Sequence, residues 1–191
     1  MDWASITGDV AKLMASDGTF SDSPGGEQSV FNAGMAYSIL AASWKAVKGD
    51  SSATSHIRSV TSTIGVLLQG ADGSEYSELS LGSGEDRLAA TSLVLSSALK
   101  LASVSGEDVD VQVEQVAGFA NFLLQHRHSA NLRSIGQVVI GLRAVASNKV
   151  AVPLTVQLPV TSFSLGSTDD VVVTVTDVFG AFASEVEVCC F

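Results

Sequence analysis

The sequence has few of the residues that support several common classes of protein. It has only two cysteines, Cys189 and Cys190. Adjacent cysteines cannot build a disulfide framework, and a bridge between them is strained, so we expect two free thiols at a strand end. No basic residue follows Lys149, whereas residues 150–191 contain five acidic ones. The net charge of -10 argues against a nucleic-acid partner and predicts no basic patch for a phosphate backbone or an anionic membrane.

Signals for secretion and membrane insertion are also missing from the sequence. Charged Asp2, Asp9 and Lys12 interrupt the first fifteen residues, which therefore do not resemble a signal peptide. No uninterrupted apolar run reaches the roughly 18 residues that a membrane span requires. Hydrophobic residues make up 46% of the 191-residue chain, which is ample for the core of one domain, or of one domain and part of another.

Apolar residues recur at helical spacing as far as about residue 147. The clearest series is Leu132, Ile135, Val138, Val139, Leu142 and Val145, which follows a three-four repeat. Five further helices are predicted over Trp3–Ala15, Val30–Val47, the segment between Asp50 and Gly70, Arg87–Ser103 and Asp108–His126. Asp-Gly loops at Asp17 and Asp72, 55 residues apart, each precede a helix. This internal similarity is either a repeat of helical hairpins or a coincidence.

From Asn148 onward the apolar period changes from helical to two. Strands are predicted over Val152–Leu158 and Val171–Thr176 and near Val188, with a turn at Gly166–Asp170. So few strands cannot close a sandwich alone. The predicted fold is mainly α with C-terminal β. It comprises a toroid-like α/α helical-hairpin array in residues 1–147 and the first strands of an incomplete β-sandwich in residues 148–191.

Acidic motifs in the sequence resemble known sites only weakly. Asp108-Val109-Asp110 resembles the Asp-x-Asp of many glycosyltransferases, but it opens a predicted helix, where acids complement the helix dipole. The same capping role is predicted for Glu85 and Asp86. The Asp17 and Asp72 loops lack the alternating oxygen ligands of a calcium loop, so we expect them to be solvated connectors.

The remaining candidates for chemistry are one serine motif and three histidines. Gly49-Asp50-Ser51 resembles the start of an esterase motif, but it lies between helices, so Asp50 is predicted to be an N-cap. His126 and His128 are two residues apart, which does not place two metal ligands on one helix face, and we expect them to be solvated cations. His56 has no candidate partner. We therefore predict no catalytic residue, no metal site and no cofactor.

The helix-to-strand junction is similar to a known family. Residues 140–165 read IGLRAVASNKVAVPLTVQLPVTSFSL and resemble the region of ribophorin II, the delta subunit of eukaryotic oligosaccharyltransferase, where the last helix leads into the first strands. The loop at Asp72 and the apolar helix after Leu88 resemble that family's Gly-rich loop and helix, and Val171–Val178 resembles its next strand. The resemblance extends over roughly residues 17–187. The signal peptide, most of the sandwich and the membrane spans are lacking, so we expect a fragment or truncated form.

This resemblance implies a non-catalytic accessory subunit of the oligosaccharyltransferase complex, which supports N-linked glycosylation in the endoplasmic reticulum. The implied location is the lumenal side of the endoplasmic reticulum membrane. The implied partners are other subunits of the complex and nascent polypeptide, and membrane association would come through missing C-terminal spans or through partners. The packed hairpins would act as a rigid scaffold.

Two alternatives from other functional classes remain open. The first is a stand-alone helical-repeat module that binds another protein. The second is an enzyme built on an α/α toroid, which needs paired acids facing a central cavity. For that enzyme Asp108 and Asp110 are the only close candidates, and six helices are too few to close such a barrel.

Overall fold

A computed structural model gives the arrangement of the chain. It describes residues 1–73, 78–84, 87–107, 109–128, 132–148, 154–157, 171–177, 179–180 and 182–188. The described helices are α1 (Trp3–Ala11), α2 (Val30–Val47), α3 (Ser51–Thr61), α4 (Ile64–Gln69), α5 (Arg87–Ser105), α6 (Val113–His126) and α7 (Leu132–Ser147). The described strands are β1 (Phe20–Ser21), β2 (Gln28–Ser29), β3 (Asp72–Gly73), β4 (Leu79–Ser80), β5 (Leu154–Gln157), β6 (Val171–Asp177) and β7 (Phe182–Val188). The prediction of a mainly α fold with C-terminal β is confirmed.

Helices α2 and α5 lie side by side and run in the same direction. Near their N-terminal halves, Gly34 of α2 approaches Leu93 of α5 so closely that a Cβ atom at Gly34 would lie 2.7 Å from the Leu93 Cγ. Toward their C-terminal ends, Lys45 of α2 and Val104 of α5 line the same surface hollow. The absence of a side chain at Gly34 allows this close helix packing.

Helix α7 packs on α5 in the same parallel sense. The Ser92 hydroxyl donates a hydrogen bond to the Gln137 carbonyl oxygen, and farther along Val104 and Asn148 line one groove. Helices α2, α5 and α7 therefore form a layer with α5 in the middle, and their C-terminal ends lie on the same side. Helices α1, α3 and α6 pack against this layer.

The middle position of α5 explains its composition. By length and composition α5 could cross a membrane, because its most apolar window has a mean hydropathy of 1.4. However, 56% of that window is buried inside the protein, as expected of a core helix packed on two sides. The largest fully buried side chains lie in this layer and in the elements packed against it, and include Phe20, Tyr37, Leu40, Ile57, Leu95, Leu101 and Phe119.

The single helix predicted between Asp50 and Gly70 is two helices. The hydroxyls of Thr61, Ser62 and Thr63 donate to main-chain oxygens three or four residues earlier, at distances of 2.8 to 2.9 Å. Hydroxyl bonds of this kind compete with the helical ladder, and α3 ends there before α4 begins at Ile64. Among the described residues there are therefore seven helices rather than the six predicted.

Two other helix boundaries differ from the prediction by more than two residues. Helix α1 ends at Ala11 rather than Ala15, and α6 begins at Val113 rather than Asp108. At the start of α6 the Gln115 side chain accepts a hydrogen bond from the Gln112 N–H at 3.2 Å. This contact satisfies one of the free donors at the helix N-terminus, so Asp110 is not the cap.

The two Asp-Gly loops have a similar organisation. Each contains a short antiparallel ladder, β1 with β2 and β3 with β4, and each leads into a long helix of the layer. The positions of the two acids differ, because Asp17 precedes β1 whereas Asp72 belongs to β3. The loops therefore share an arrangement without matching residue by residue.

The C-terminal strands form an antiparallel sheet in the order β5-β6-β7. Val156 pairs with Val175, and Val173 pairs with Val186. The β6–β7 turn contains Gly180 with φ +80°, a conformation that favours glycine. Contacts divide the chain into two compact units, 1–151 and 152–191, and the division into domains 1–147 and 148–191 stays a prediction. The predicted turn at 166–170, the two cysteines and Glu85 and Asp86 lie outside the described residues.

Candidate functional site: a basic groove

The C-terminal ends of α2, α5 and α7 form a groove lined by basic residues. The part of the groove between α5 and α7, which Ser38 of α2 also lines, has a volume of about 700 Å³ and includes Lys100 and Arg143. An adjoining hollow of about 490 Å³ shares Lys100 and adds Lys45 and Lys48 from the end of α2. We call this surface the basic groove and define it by Lys45, Lys48, Lys100 and Arg143. Its main volume lies in the usual range for a ligand site.

The charge of the basic groove is opposite to that of the chain. Four of the ten basic residues line it, and among the described residues that line it none is acidic. All four cations are exposed, and none forms an ion pair with another described residue. Positive charge is therefore concentrated on this surface, although the chain as a whole is acidic.

Parallel helices bring the cations together. Lys45 lies in the last turn of α2, whereas Lys100 and Arg143 lie in the C-terminal halves of α5 and α7, before last turns that contain no basic residue. The helix dipole attracts cations within the last turn, so of these three it favours only Lys45. Because the three helices are parallel, their C-terminal halves, and with them the cations, lie on one side of the layer.

The walls of the groove combine hydroxyl, amide and apolar groups. Ser96, Ser103 and Ser147 line it together with apolar Leu99 and Ile140. Gln137 also lines it, and the Gln137 Oε1 atom is buried without a hydrogen-bond partner in the described part of the chain. A buried acceptor without a partner costs free energy.

Asp50 is the acidic candidate whose predicted role is confirmed. Its carboxylate accepts hydrogen bonds from the Ser52 and Ala53 N–H groups, both at 2.9 Å, at the start of α3. Asp108 lies outside the described residues. Asp110 is exposed and accepts a hydrogen bond from the Gln112 Nε2 at 2.6 Å.

The two loop acids lie at the surface. Asp17 and Asp72 are exposed. The Thr19 hydroxyl donates to the Asp17 carboxylate at 2.6 Å and the Thr19 N–H does so at 3.0 Å. These hydrogen bonds lower the pKa of Asp17, because they stabilise its charged form.

The histidines do not converge on one site. The His126 Nδ1 lies 2.9 Å from the Phe122 carbonyl oxygen and 3.9 Å from the Glu78 Oε2. The His126 ring also stacks on Phe122 with ring centroids 4.5 Å apart, so it is not simply a solvated cation. His128 is exposed beyond the helix end, and His56 has a buried Nδ1 without a partner among described residues. No group of three or more potential metal-binding side chains occurs in the described ranges.

The sequence contains only a weak signal for the basic groove. The four cations belong to helices that are far apart in the sequence, so charge composition alone does not bring them together. Their common feature is a position in the C-terminal half of a helix or directly after its end. That feature becomes informative only once the three helices are known to be adjacent and parallel.

Comparison with known proteins identifies the family of this chain. The model of the ribophorin II N-terminal domain matches residues 2–146, which include all four cations of the basic groove. No curated protein and no solved structure matches the chain significantly. The match ends within the junction segment 140–165, so the resemblance of the strands to this family is not covered by it. Because the match extends over well more than half of the sequence, the chain belongs to the ribophorin II family.

Proposed function

We propose that this protein is a non-catalytic accessory subunit of the oligosaccharyltransferase complex and supports N-linked glycosylation in the endoplasmic reticulum. The observation that carries the proposal is the family match over residues 2–146, which covers nearly all of the helical part. Ribophorin II proteins are associated with this complex. The proposed location is the lumenal side of the membrane, where the helical layer contacts other subunits or nascent polypeptide.

Surface features of α7 support a scaffolding role. Ile135, Val139 and Ile140 are 40%, 59% and 52% exposed, although α7 belongs to the central layer. A helical array leaves the outer face of its terminal helix uncovered unless another element packs on it. In this proposal a neighbouring subunit covers that apolar face, and burial removes it from water.

The composition of the basic groove bears on the toroid-enzyme alternative. Such an enzyme needs paired acids facing a cavity. None of the described residues that line the two parts of the groove is acidic, and Asp110 is exposed elsewhere. The accessory role requires no catalytic group in this chain.

Site occupancy of N-glycans in cells tests the proposed function. Depletion of the protein is expected to lower occupancy at a subset of Asn-x-Ser/Thr sites, measured by quantitative glycopeptide mass spectrometry. Re-expression of the wild-type protein restores occupancy, and O-linked glycosylation serves as the control that does not change. Unchanged N-glycan occupancy after complete depletion contradicts the proposal.

A further inference from the structure

We propose that Asp72 and Gly73 form a modification site, at which Asp72 converts spontaneously to isoaspartate. This inference goes beyond the accessory role and does not depend on it. The sequence contains two Asp-Gly pairs, one at Asp17 and one at Asp72. Both pairs have the same reacting groups, so the difference between their surroundings decides which of them reacts.

The reaction needs only the aspartate side chain, the next main-chain nitrogen and water. The Gly73 nitrogen attacks the Cγ atom of the protonated Asp72 carboxyl group, and the new C–N bond closes a five-membered succinimide ring. The carboxyl O–H group and the proton of the Gly73 N–H leave together as water. A second water molecule then opens the ring, and opening at the main-chain carbonyl leaves isoaspartate. Glycine favours the attack because it has no side chain to hinder its nitrogen.

The surroundings of Asp17 oppose this attack. The Thr19 hydroxyl and N–H hold the Asp17 carboxylate at 2.6 and 3.0 Å. They also lower the pKa of Asp17, so less of the reactive protonated form is present. Gly18 is buried, its N–H donates to the Ala15 carbonyl oxygen at 3.2 Å, and its own carbonyl oxygen accepts from the Tyr37 hydroxyl at 3.3 Å. Both reacting groups are therefore held in place.

The surroundings of Asp72 impose fewer restraints. Asp72 and Gly73 are both exposed, and the Asp72 carboxylate has no hydrogen-bond or ion-pair partner in the described part of the chain. The pair forms β3, which is joined to β4 only by the pairing of Asp72 with Ser80 and of Gly73 with Leu79. A two-stranded ladder of this length is marginal, so it opens locally at a small cost in free energy.

The modification changes β3 without disturbing the core. Isoaspartate routes the main chain through the former side-chain CH₂ group, which adds one atom to the backbone of β3 and shifts its pairing. Strand β4 is held independently, because Leu79 and Ser80 are buried and the neighbouring Leu81 N–H donates to the Thr91 hydroxyl of α5 at 2.8 Å. We therefore expect the modified protein to lose the β3–β4 ladder and to remain folded.

Timed incubation of the folded full chain at neutral pH and physiological temperature tests the proposal. The tryptic peptides 13–45 and 59–87 contain one Asp-Gly pair each, and electron-transfer fragmentation distinguishes isoaspartate from aspartate in both. We expect isoaspartate to accumulate about tenfold faster at Asp72 than at Asp17, because the Asp17 carboxylate must first lose its hydrogen bonds. D72E provides the blank for this position, because glutamate would have to close a larger ring and does so far more slowly.

Two further measurements separate the effect of the fold from that of the local sequence. T19A removes the hydroxyl bond to the Asp17 carboxylate and should raise the rate at Asp17 by about fivefold. The rate at Asp72 in the same variant should not change and serves as the internal control, and circular dichroism confirms folding. In the urea-unfolded chain neither pair is held, so the two rates should become similar.

Three results would overturn the proposal. One is isoaspartate at Asp72 that does not exceed the D72E blank. Another is an equal rate at Asp17 and Asp72 in the folded chain, which would show that the hydrogen bonds of Asp17 give no protection. The third is a rate difference that persists unchanged in urea, which would assign it to the adjacent residues in the sequence. None of these results bears on N-glycan occupancy, so the two proposals fail independently.

Discussion

Replacing Gly34 with alanine tests the packing of α2 against α5. A Cβ atom at this position would lie 2.7 Å from the Leu93 Cγ and 3.0 Å from the Val94 main-chain nitrogen. Cβ atoms essentially never approach other heavy atoms to less than 3.0 Å. The Val94 nitrogen belongs to the backbone, so it cannot yield without a shift of α5. The added methyl group must therefore separate the two helices or displace Leu93.

Two opposing effects set the size of the change. Overpacking a core typically costs about 1–3 kcal/mol, whereas replacing glycine by alanine in a helix recovers about 1 kcal/mol. Because a backbone atom is among the contacts, we expect overpacking to dominate. The predicted net loss in the free energy of unfolding for G34A is about 1–2 kcal/mol.

Gly136 of α7 provides the matched control. A Cβ atom there meets nothing within 4 Å of the described atoms, and the residue is exposed. G136A therefore gains helix propensity without a clash, and we expect it to stabilise the protein by about 0.5–1 kcal/mol. Urea unfolding followed by far-ultraviolet circular dichroism measures both variants, and similar m-values would show that stability alone has changed.

The refuting result is a G34A protein as stable as the wild type or more stable. A double-mutant cycle with L93A locates the clash, because removing the Leu93 side chain should relieve much of the G34A penalty. Full additivity of the two substitutions would show that contact with the Leu93 side chain does not set the cost.

The remaining predictions concern single hydrogen bonds and an ion pair. Y37F removes the Tyr37 hydroxyl, which lies 3.3 Å from the Gly18 carbonyl oxygen, and should cost about 1–2 kcal/mol. Burial raises the pKa of the Tyr37 phenol. The neutral phenol therefore contributes fully to stability below the unfolded pKa of about 10, and this contribution is lost as the pH rises through the folded pKa. Urea unfolding at alkaline pH should show a weaker decline in the free energy of unfolding for Y37F than for the wild type. D50A should destabilise the protein by about 1 kcal/mol, while D50N retains most of the cap in thermal melts. R58A breaks the Arg58–Glu107 ion pair of 2.7 Å, and because the pair is exposed the loss should stay below about 1 kcal/mol by urea unfolding at low salt.

The sequence predicts those elements and caps that depend on residues close together in the chain. Asp50 was predicted to cap a helix, and its carboxylate does so. The apolar series of α7 and the alternating valines of β6 also correspond to the elements seen. Each of these features depends on residues within a few positions of one another.

Features that depend on competing hydrogen bonds, or on contacts between segments far apart in the sequence, are not predictable from hydrophobic spacing. The break between α3 and α4 results from hydroxyls that hydrogen-bond back to the helix, and hydrophobic spacing does not reveal that competition. The acids at Asp108 and Asp110 predict too early a start for α6, whereas the helix begins at Val113 and Gln115 has a capping contact with Gln112. The basic groove depends on which helices are adjacent, which the spacing of its cations does not encode.

Co-purification at native expression level tests the assignment to oligosaccharyltransferase most directly. The endogenous protein carries an affinity tag, membranes of the endoplasmic reticulum are solubilised in mild detergent, and the recovered proteins are quantified by mass spectrometry against an untagged control. The account predicts recovery of the catalytic and other subunits of the complex in near-stoichiometric amounts. Recovery of the tagged protein without these subunits would contradict it.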